Sequence, residues 1–153
     1  MKDEVLLLDE KLVDDFWRLR VELLKELGEV CQETDLIPLE AATKQYYLAH
    51  INKDLISWGI FQNEKLVAIG SLCLFSRIPY DENLSGLEGY ILNIYTSKQF
   101  RGNSFASQIL DKIIEYSHKN NIKRLWLSSS VQGRQLYMKK GFAAKNNEME
   151  LLL

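Results

Sequence analysis

Apolar positions change their period several times along the chain, and each change predicts an element. Val5 to Leu8 is a short apolar run suited to an opening strand. From Leu12 to Leu27, the residues Val13, Phe16, Trp17, Leu23, Leu24 and Leu27 recur at helical spacing, and Gly28 is a natural stop. The chain is irregular from Val30 to Pro38. Pro38 suits the first turn of a second helix reaching about Ile51, with Leu39, Ala42, Tyr46, Ala49 and His50 near one face. Leu55 to Phe61 and Leu66 to Phe75 read as strands joined by the polar turn Gln62-Asn63-Glu64-Lys65, hence a hairpin. Ser76 to Gly86 carries Pro79, Asp81, Asn83 and Gly86 and reads as a loop.

The second half holds the stretch that organises the rest. Ile91 to Tyr95, ILNIY, is a largely buried strand by its β-branched and aromatic content. A helix from Ser104 to about Lys119 has Ala106, Ile109, Leu110, Ile113 and Ser117 on one stripe, with Asn120-Asn121 as its stop. Between strand and helix lies Arg101-Gly102-Asn103-Ser104-Phe105-Ala106, with small or turn-tolerant residues at alternate positions. A helix start offers unpaired N–H groups and the positive end of the macrodipole, so a phosphate can be held there, with Arg101 beside it. An ordinary strand-to-helix turn explains the same residues equally well. Ile122 to Leu127 is the next strand, Gly133 to Lys139 a short helix, and Phe142 to Ala144 and Glu148 to Leu153 closing strands.

A second segment adds specificity: WLSSS, from Trp126 to Ser130, is followed by VQGRQLYMKKGF. Together the two blocks resemble the GNAT superfamily of acyl-CoA-dependent N-acyltransferases, over roughly residues 56 to 153 in matching order. The family's pyrophosphate loop falls on Arg101, Gly102, Asn103, Ser104, Phe105 and Ala106, with Ser104 in place of the usual middle glycine. The later block falls on Leu125 to Ser130, Leu136, Tyr137, Gly141 and Phe142. The resemblance implies a single α/β domain over residues 1–153: a mixed, mostly antiparallel sheet flanked by helices, with a central parallel strand pair splayed apart. Acetyl-CoA as cosubstrate would pair its pantetheine amides with Ile94, Tyr95 and Thr96. Ser128, Ser130 and Gly133 would face the same gap, the two serines serving either as ligands or as caps of the following helix.

The chemistry so implied is direct attack of a neutral primary amine on the thioester in a ternary complex, without a metal. The main-chain N–H near Ile94 would face the developing oxyanion, and Tyr137 would protonate the departing thiolate. Many relatives carry a glutamate on the central strand where this chain has Asn93, which cannot accept a proton at neutral pH. The base is therefore unassigned, with Glu88 and Glu150 as candidates. The first two helices would line the acceptor side, with Arg20, Tyr46 and Glu88 as candidate substrate contacts and Glu40, Tyr47 and His50 nearby. The loop Ser76 to Gly86 is a candidate rim. Arg20 stands within an apolar stripe, where it either binds a substrate carboxylate or packs structurally.

Composition narrows the partners. The chain has 153 residues, 46% hydrophobic and 26% charged, with net charge −2 and no basic field for nucleic acid. Cys31 and Cys73 are isolated and only two histidines occur, so neither a disulfide framework nor a zinc site is expected. No apolar run approaches a membrane span, and the acidic start MKDEVLLLDEK is unlike a signal peptide, so a cytoplasmic protein is expected. The acceptor is a small-molecule or peptide amine, and a homodimer is left open. Two readings compete with an active N-acetyltransferase: a non-catalytic acyl-CoA-binding or regulatory domain, and a phosphate-binding module. The second lacks a Walker lysine after its glycine turn.

Overall fold

The computed structural model describes residues 3–153. The strands are β1 (Val5–Leu7), β2 (Leu55–Gln62), β3 (Lys65–Ser76), β4 (Leu87–Thr96) and β5 (Arg124–Trp126); the helices are α1 (Val13–Glu26), α2 (Ile37–His50), α3 (Phe105–Lys119) and α4 (Arg134–Lys139). The strands form one sheet in sequence order, antiparallel except for the parallel pair β4–β5. This is the mixed α/β sheet that the sequence predicts.

Two cores hold the helices to opposite faces of the sheet, because alternate strand residues point to opposite sides. On one face Ile109, Leu110 and Ile113 of α3 are fully buried against Trp58, Leu72 and Ile91. On the other, Phe16 and Leu19 of α1 and Tyr47 of α2 pack with Leu66, Ile69 and Tyr95. Each fully buried aliphatic side chain there contributes roughly 1.5–3 kcal/mol. Polar ties fix the second layer. Arg18 donates to the Leu66 carbonyl at 2.8 Å, Lys44 bridges Asp14 and Glu40 at 2.7 Å each, and the Tyr47 hydroxyl donates to the Asp9 carbonyl at 2.6 Å.

The parallel pair is short. Glu88, Gly89 and Tyr90 pair with Arg124, Leu125 and Trp126, and the ladder ends there. Beyond this point the C-terminal half of β4 has no ladder partner on the β5 side among the described residues. The residues after Trp126 run as exposed loop at Ser128–Ser130. The expected strand from Ile122 to Leu127 is thus reduced to three residues by the splay.

The closing strands expected at Phe142 to Ala144 and Glu148 to Leu153 do not form. A three-residue β5 offers a short ladder to pair against, and the apolar end of the chain finds no face to bury. Met149, Leu151, Leu152 and Leu153 are all exposed, and Glu150 lies in the same exposed segment. Among the described residues no helix is long and apolar enough to cross a membrane.

Candidate active site

The centre of the site is an irregularity in β4. Ile69 pairs with Tyr95 and Ser71 with Leu92, so Gly70 alone stands opposite two residues, Asn93 and Ile94. This is a β-bulge, and Asn93 takes the left-handed conformation at φ +60°. Asparagine tolerates that region better than most residues, whereas β-branched ones do not. Gly70 is required by the same packing. A Cβ there would lie 2.5 Å from Ile109 Cγ2 and 2.6 Å from Ile94 Cδ1. The bulge re-aims the backbone where the strand loses its β5 neighbour.

On the α1–α2 side the bulge borders a cavity of about 230 Å³. Its apolar wall comes from Phe16, Ala42, Leu55 and Leu92, and its polar groups from Arg20, Thr43, Tyr46, Ser71, Cys73 and Asn93. Arg20 lies one turn after Phe16 on α1, so both reach the same space. Its Nη1 donates to Asn93 Oδ1 at 3.3 Å. Burial lowers the Arg20 pKa, with Glu29 acting in the opposite direction, but no carboxylate lines the cavity. Asn93 is 6% exposed, and its Nδ2 is buried with no hydrogen-bond partner. The Oδ1 contact with Arg20 supports this amide orientation, since a flip would set two donors against each other. The Tyr46 hydroxyl is 3.7 Å from Cys73 Sγ, and burial pushes the Tyr46 pKa up to about 12 and raises the thiol's.

The turn before α3 is open. Gly102 has φ +85°, and a Cβ built there would meet nothing within 4 Å. Ser104 occupies the N-cap position at φ +60°, ψ +24°, and makes no side-chain cap bond. Its left-handed backbone explains why glycine suits this position, and a serine there carries about 1–2 kcal/mol of strain. Asn103 braces the turn by donating to the Phe100 carbonyl at 2.9 Å, while Phe105 anchors the helix start in the core. Ala106 is half-buried on the first turn. Arg101 reaches back instead of lying free. Its Nε donates to the Thr96 carbonyl at 3.0 Å, and its two Nη atoms grip the Glu26 carboxylate. Among the described residues no cluster of His, Cys, Asp and Glu is suited to hold a metal ion.

Tyr137 projects from α4, half-buried, with its ring edge-on to Phe142 at 6.0 Å. Burial raises its pKa, so the hydroxyl stays protonated. Ser130 Oγ accepts from the Gly133 N–H at 3.1 Å and so tightens the turn before α4, while Ser128 is exposed on the loop edge.

Of the residues singled out in the sequence, Arg20, Tyr46 and Asn93 come together in the cavity, while Ile94, Tyr95 and Thr96 line the β4 segment beyond the splay. Glu88 does not join them. It lies five residues before Asn93, fully buried, accepting from the Tyr80 hydroxyl at 2.7 Å and Arg124 Nη1 at 3.0 Å, with Arg77 at 3.6 Å. Desolvation pushes its pKa up, but those bonds outweigh it and hold the carboxyl below its usual range. The loop that supplies Tyr80 does not line the cavity. His50 pairs with Asp54 at 2.7 Å and Glu40 with Lys44, and Tyr47 belongs to the core. Ser71, Cys73 and Thr43 were not anticipated. Ser71 and Cys73 are polar or polarisable residues two apart in an apolar strand, a signal that marks one face.

A model described as the Acetyltransferase (GNAT) family matches residues 16–142. No curated protein matches the chain. Among solved structures, a predicted acetyltransferase with acetyl-CoA from Clostridium acetobutylicum is 27% identical, with a TM-score of 0.86 over 97% of this chain and 95% of that one. A GCN5-related N-acetyltransferase from Ralstonia eutropha JMP134 is 19% identical, with a TM-score of 0.85 over 98% and 97% of the two chains. Glucosamine-6-phosphate N-acetyltransferase from Arabidopsis thaliana is 18% identical, with a TM-score of 0.72 over 99% of both. With the family matched over most of its length, and with the splayed strand pair and glycine turn in place, this chain belongs to the GNAT acetyltransferase family.

Proposed function

We propose that the protein transfers an acetyl group from acetyl-CoA to a primary amine by direct attack within a ternary complex. The observation that carries this reading is the position of the β4 bulge. It lies between a cavity fit for an acceptor and a strand segment left without a β5 partner. Acetyl-CoA supplies an acyl thioester. Ile94, Tyr95 and Thr96 bind its pantetheine in strand fashion, and Arg101 with the turn from Gly102 to Ala106 holds its pyrophosphate at the α3 N-terminus. Gly133, Ser128 and Ser130 border the same gap.

The amine nitrogen attacks the carbonyl carbon, the C–S bond breaks, the nitrogen loses one proton and the thiolate gains one. The Ile94 N–H, beside the bulge, faces the oxyanion, and Tyr137 delivers the proton to sulfur. Asn93 positions the acceptor without accepting its proton, so the amine arrives neutral. Glu88 is engaged with Tyr80 and Arg124, which leaves no carboxylate lining the cavity to serve as a base.

The test is calorimetric titration with acetyl-CoA, followed by thiol-release assays over a panel of amines. Binding with turnover on at least one amine is expected. Well-folded protein that binds no CoA overturns the reading, and tight binding without turnover on any amine makes this a non-catalytic acyl-CoA-binding domain.

A further inference from the structure

The acceptor cavity contains two polar features that no acid or acceptor of the protein completes among the described residues. The first is a half-buried guanidinium, Arg20, with no acid within ion-pair distance among the described residues. The second is Asn93 Nδ2, a buried donor without a partner, on the same side chain whose Oδ1 Arg20 contacts at 3.3 Å. A half-buried guanidinium without a direct ion pair, its charge offset only at longer range by Glu29, and an unsatisfied buried donor are each destabilising, and side by side they define a site that one anionic acceptor would complete. The remaining wall from Phe16, Ala42, Leu55 and Leu92 is hydrocarbon. A water takes about 30 Å³ of liquid volume, so the cavity of about 230 Å³ has room for several waters' worth of atoms, on the scale of a small amino acid.

We propose that the acceptor amine also carries a carboxylate, held by the Arg20 guanidinium and Asn93 Nδ2, and that its hydrocarbon side chain fills the apolar wall, as in a leucine- or phenylalanine-like amino acid. This rests on the acetyl-transfer reading of the same cavity. One cation lines the space, which matches a monoanion better than a phosphate dianion. The carboxylate is unchanged by the reaction. The α-amine is acylated, the thiolate leaves and one proton passes from nitrogen to sulfur. The Arg20 charge also disfavours a protonated ammonium nearby, in keeping with an amine that enters neutral.

The test compares matched pairs that differ only in the carboxylate, L-leucine with isopentylamine and L-phenylalanine with phenethylamine, at equal concentrations of neutral amine in the thiol-release assay. The carboxylate-bearing member of each pair is expected to have a kcat/KM higher by about tenfold or more, the scale of one charge-assisted hydrogen bond. Arg20→Gln should bring the ratio near one, and Arg20→Lys, which keeps the charge, should retain part of it. Calorimetric titration of L-leucine into CoA-saturated protein provides a readout free of chemistry. Binding that Arg20→Gln removes is expected, with circular dichroism confirming that the variant is folded. Equal kcat/KM within the wild-type pairs, faster turnover of O-phosphorylethanolamine, or no L-leucine binding to CoA-saturated protein overturns the inference while leaving acetyl transfer intact. Failure of acetyl-CoA itself to bind defeats the underlying reading instead.

Discussion

Arg101 closes on Glu26 through two parallel hydrogen bonds, Nη1 to Oε1 at 2.9 Å and Nη2 to Oε2 at 2.6 Å, and so joins the glycine turn to the end of α1. The fork geometry explains why arginine serves here better than lysine. The same guanidinium stands 5.5 Å from the centre of the Tyr95 ring. The residue expected beside a pyrophosphate is therefore held in place by a carboxylate on another element, and its charge is partly offset.

That pair makes a pH-dependent prediction. The hydrogen bonds from Arg101 are the main cause holding the Glu26 carboxyl below its usual range. A group whose folded pKa is lowered stabilises the fold above its unfolded value, and loses that contribution as pH falls through the folded one. Glu26→Gln should therefore lower stability at neutral pH by about 1 kcal/mol or less, as expected for a partly exposed, solvent-screened pair. The two proteins should converge in Tm below the ordinary carboxylate range. Arg101→Glu sets two carboxylates against each other at the turn and should weaken acetyl-CoA binding about tenfold or more, read by calorimetry.

Tyr137→Phe deletes a hydroxyl and keeps the ring against Phe142. Acetyl-CoA affinity and Tm should be retained while kcat falls on the order of 10²-fold. Because burial raises the Tyr137 pKa, its donor form persists through neutral and mildly alkaline pH and should not limit the rising part of the pH profile. An unchanged kcat would assign sulfur protonation to solvent.

Asn93 separates backbone from side-chain effects. Glycine accepts φ +60°, so Asn93→Gly should fold while losing the amide, with KM for the amine rising more than kcat falls. Asn93→Val forces a β-branched residue into the left-handed region and should lower stability by about 1–2 kcal/mol or more in denaturant titration. With no base at this position, wild-type kcat/KM for an alkylamine of pKa near ~10.4 should climb well past neutral pH. A plateau near neutrality would reveal a protein base elsewhere.

Glu88 carries the opposite expectation. Removing its charge leaves Arg124 and Tyr80 without their buried acceptor, so Glu88→Ala should cost on the order of 3 kcal/mol in denaturant titration. The activity of the folded fraction should follow stability alone. A lost kcat in a variant of unchanged Tm would instead place Glu88 in the chemistry.

Much of this was legible in the chain itself. Helical spacing from Val13 to Leu27 and from Ala106 to Ser117 gave α1 and α3 within a residue or two, because amphipathic periodicity is a local property. The hairpin at Asn63 and Glu64, both at positive φ, was equally local. Gly102 and Tyr137 are candidates from the sequence because the motifs that carry them are contiguous. The closing strands expected at Phe142 to Ala144 and Glu148 to Leu153 do not form, since an apolar run becomes a strand only where a neighbouring edge exists to pair with it, and β5 ends after three residues. Which polar residues meet in the cavity was equally beyond a linear reading. Arg20 and Asn93 are 73 positions apart, and only the packing of α1 against β4, with a bulge that turns Asn93 to φ +60°, brings Nη1 to Oδ1 and leaves Nδ2 unpartnered. The sequence determined where α1, α3 and the β2–β3 hairpin form. The tertiary structure decided that Glu88 is consumed by Tyr80 and Arg124 while no carboxylate lines the cavity beside Arg20, because desolvation and pairing depend on neighbours in space.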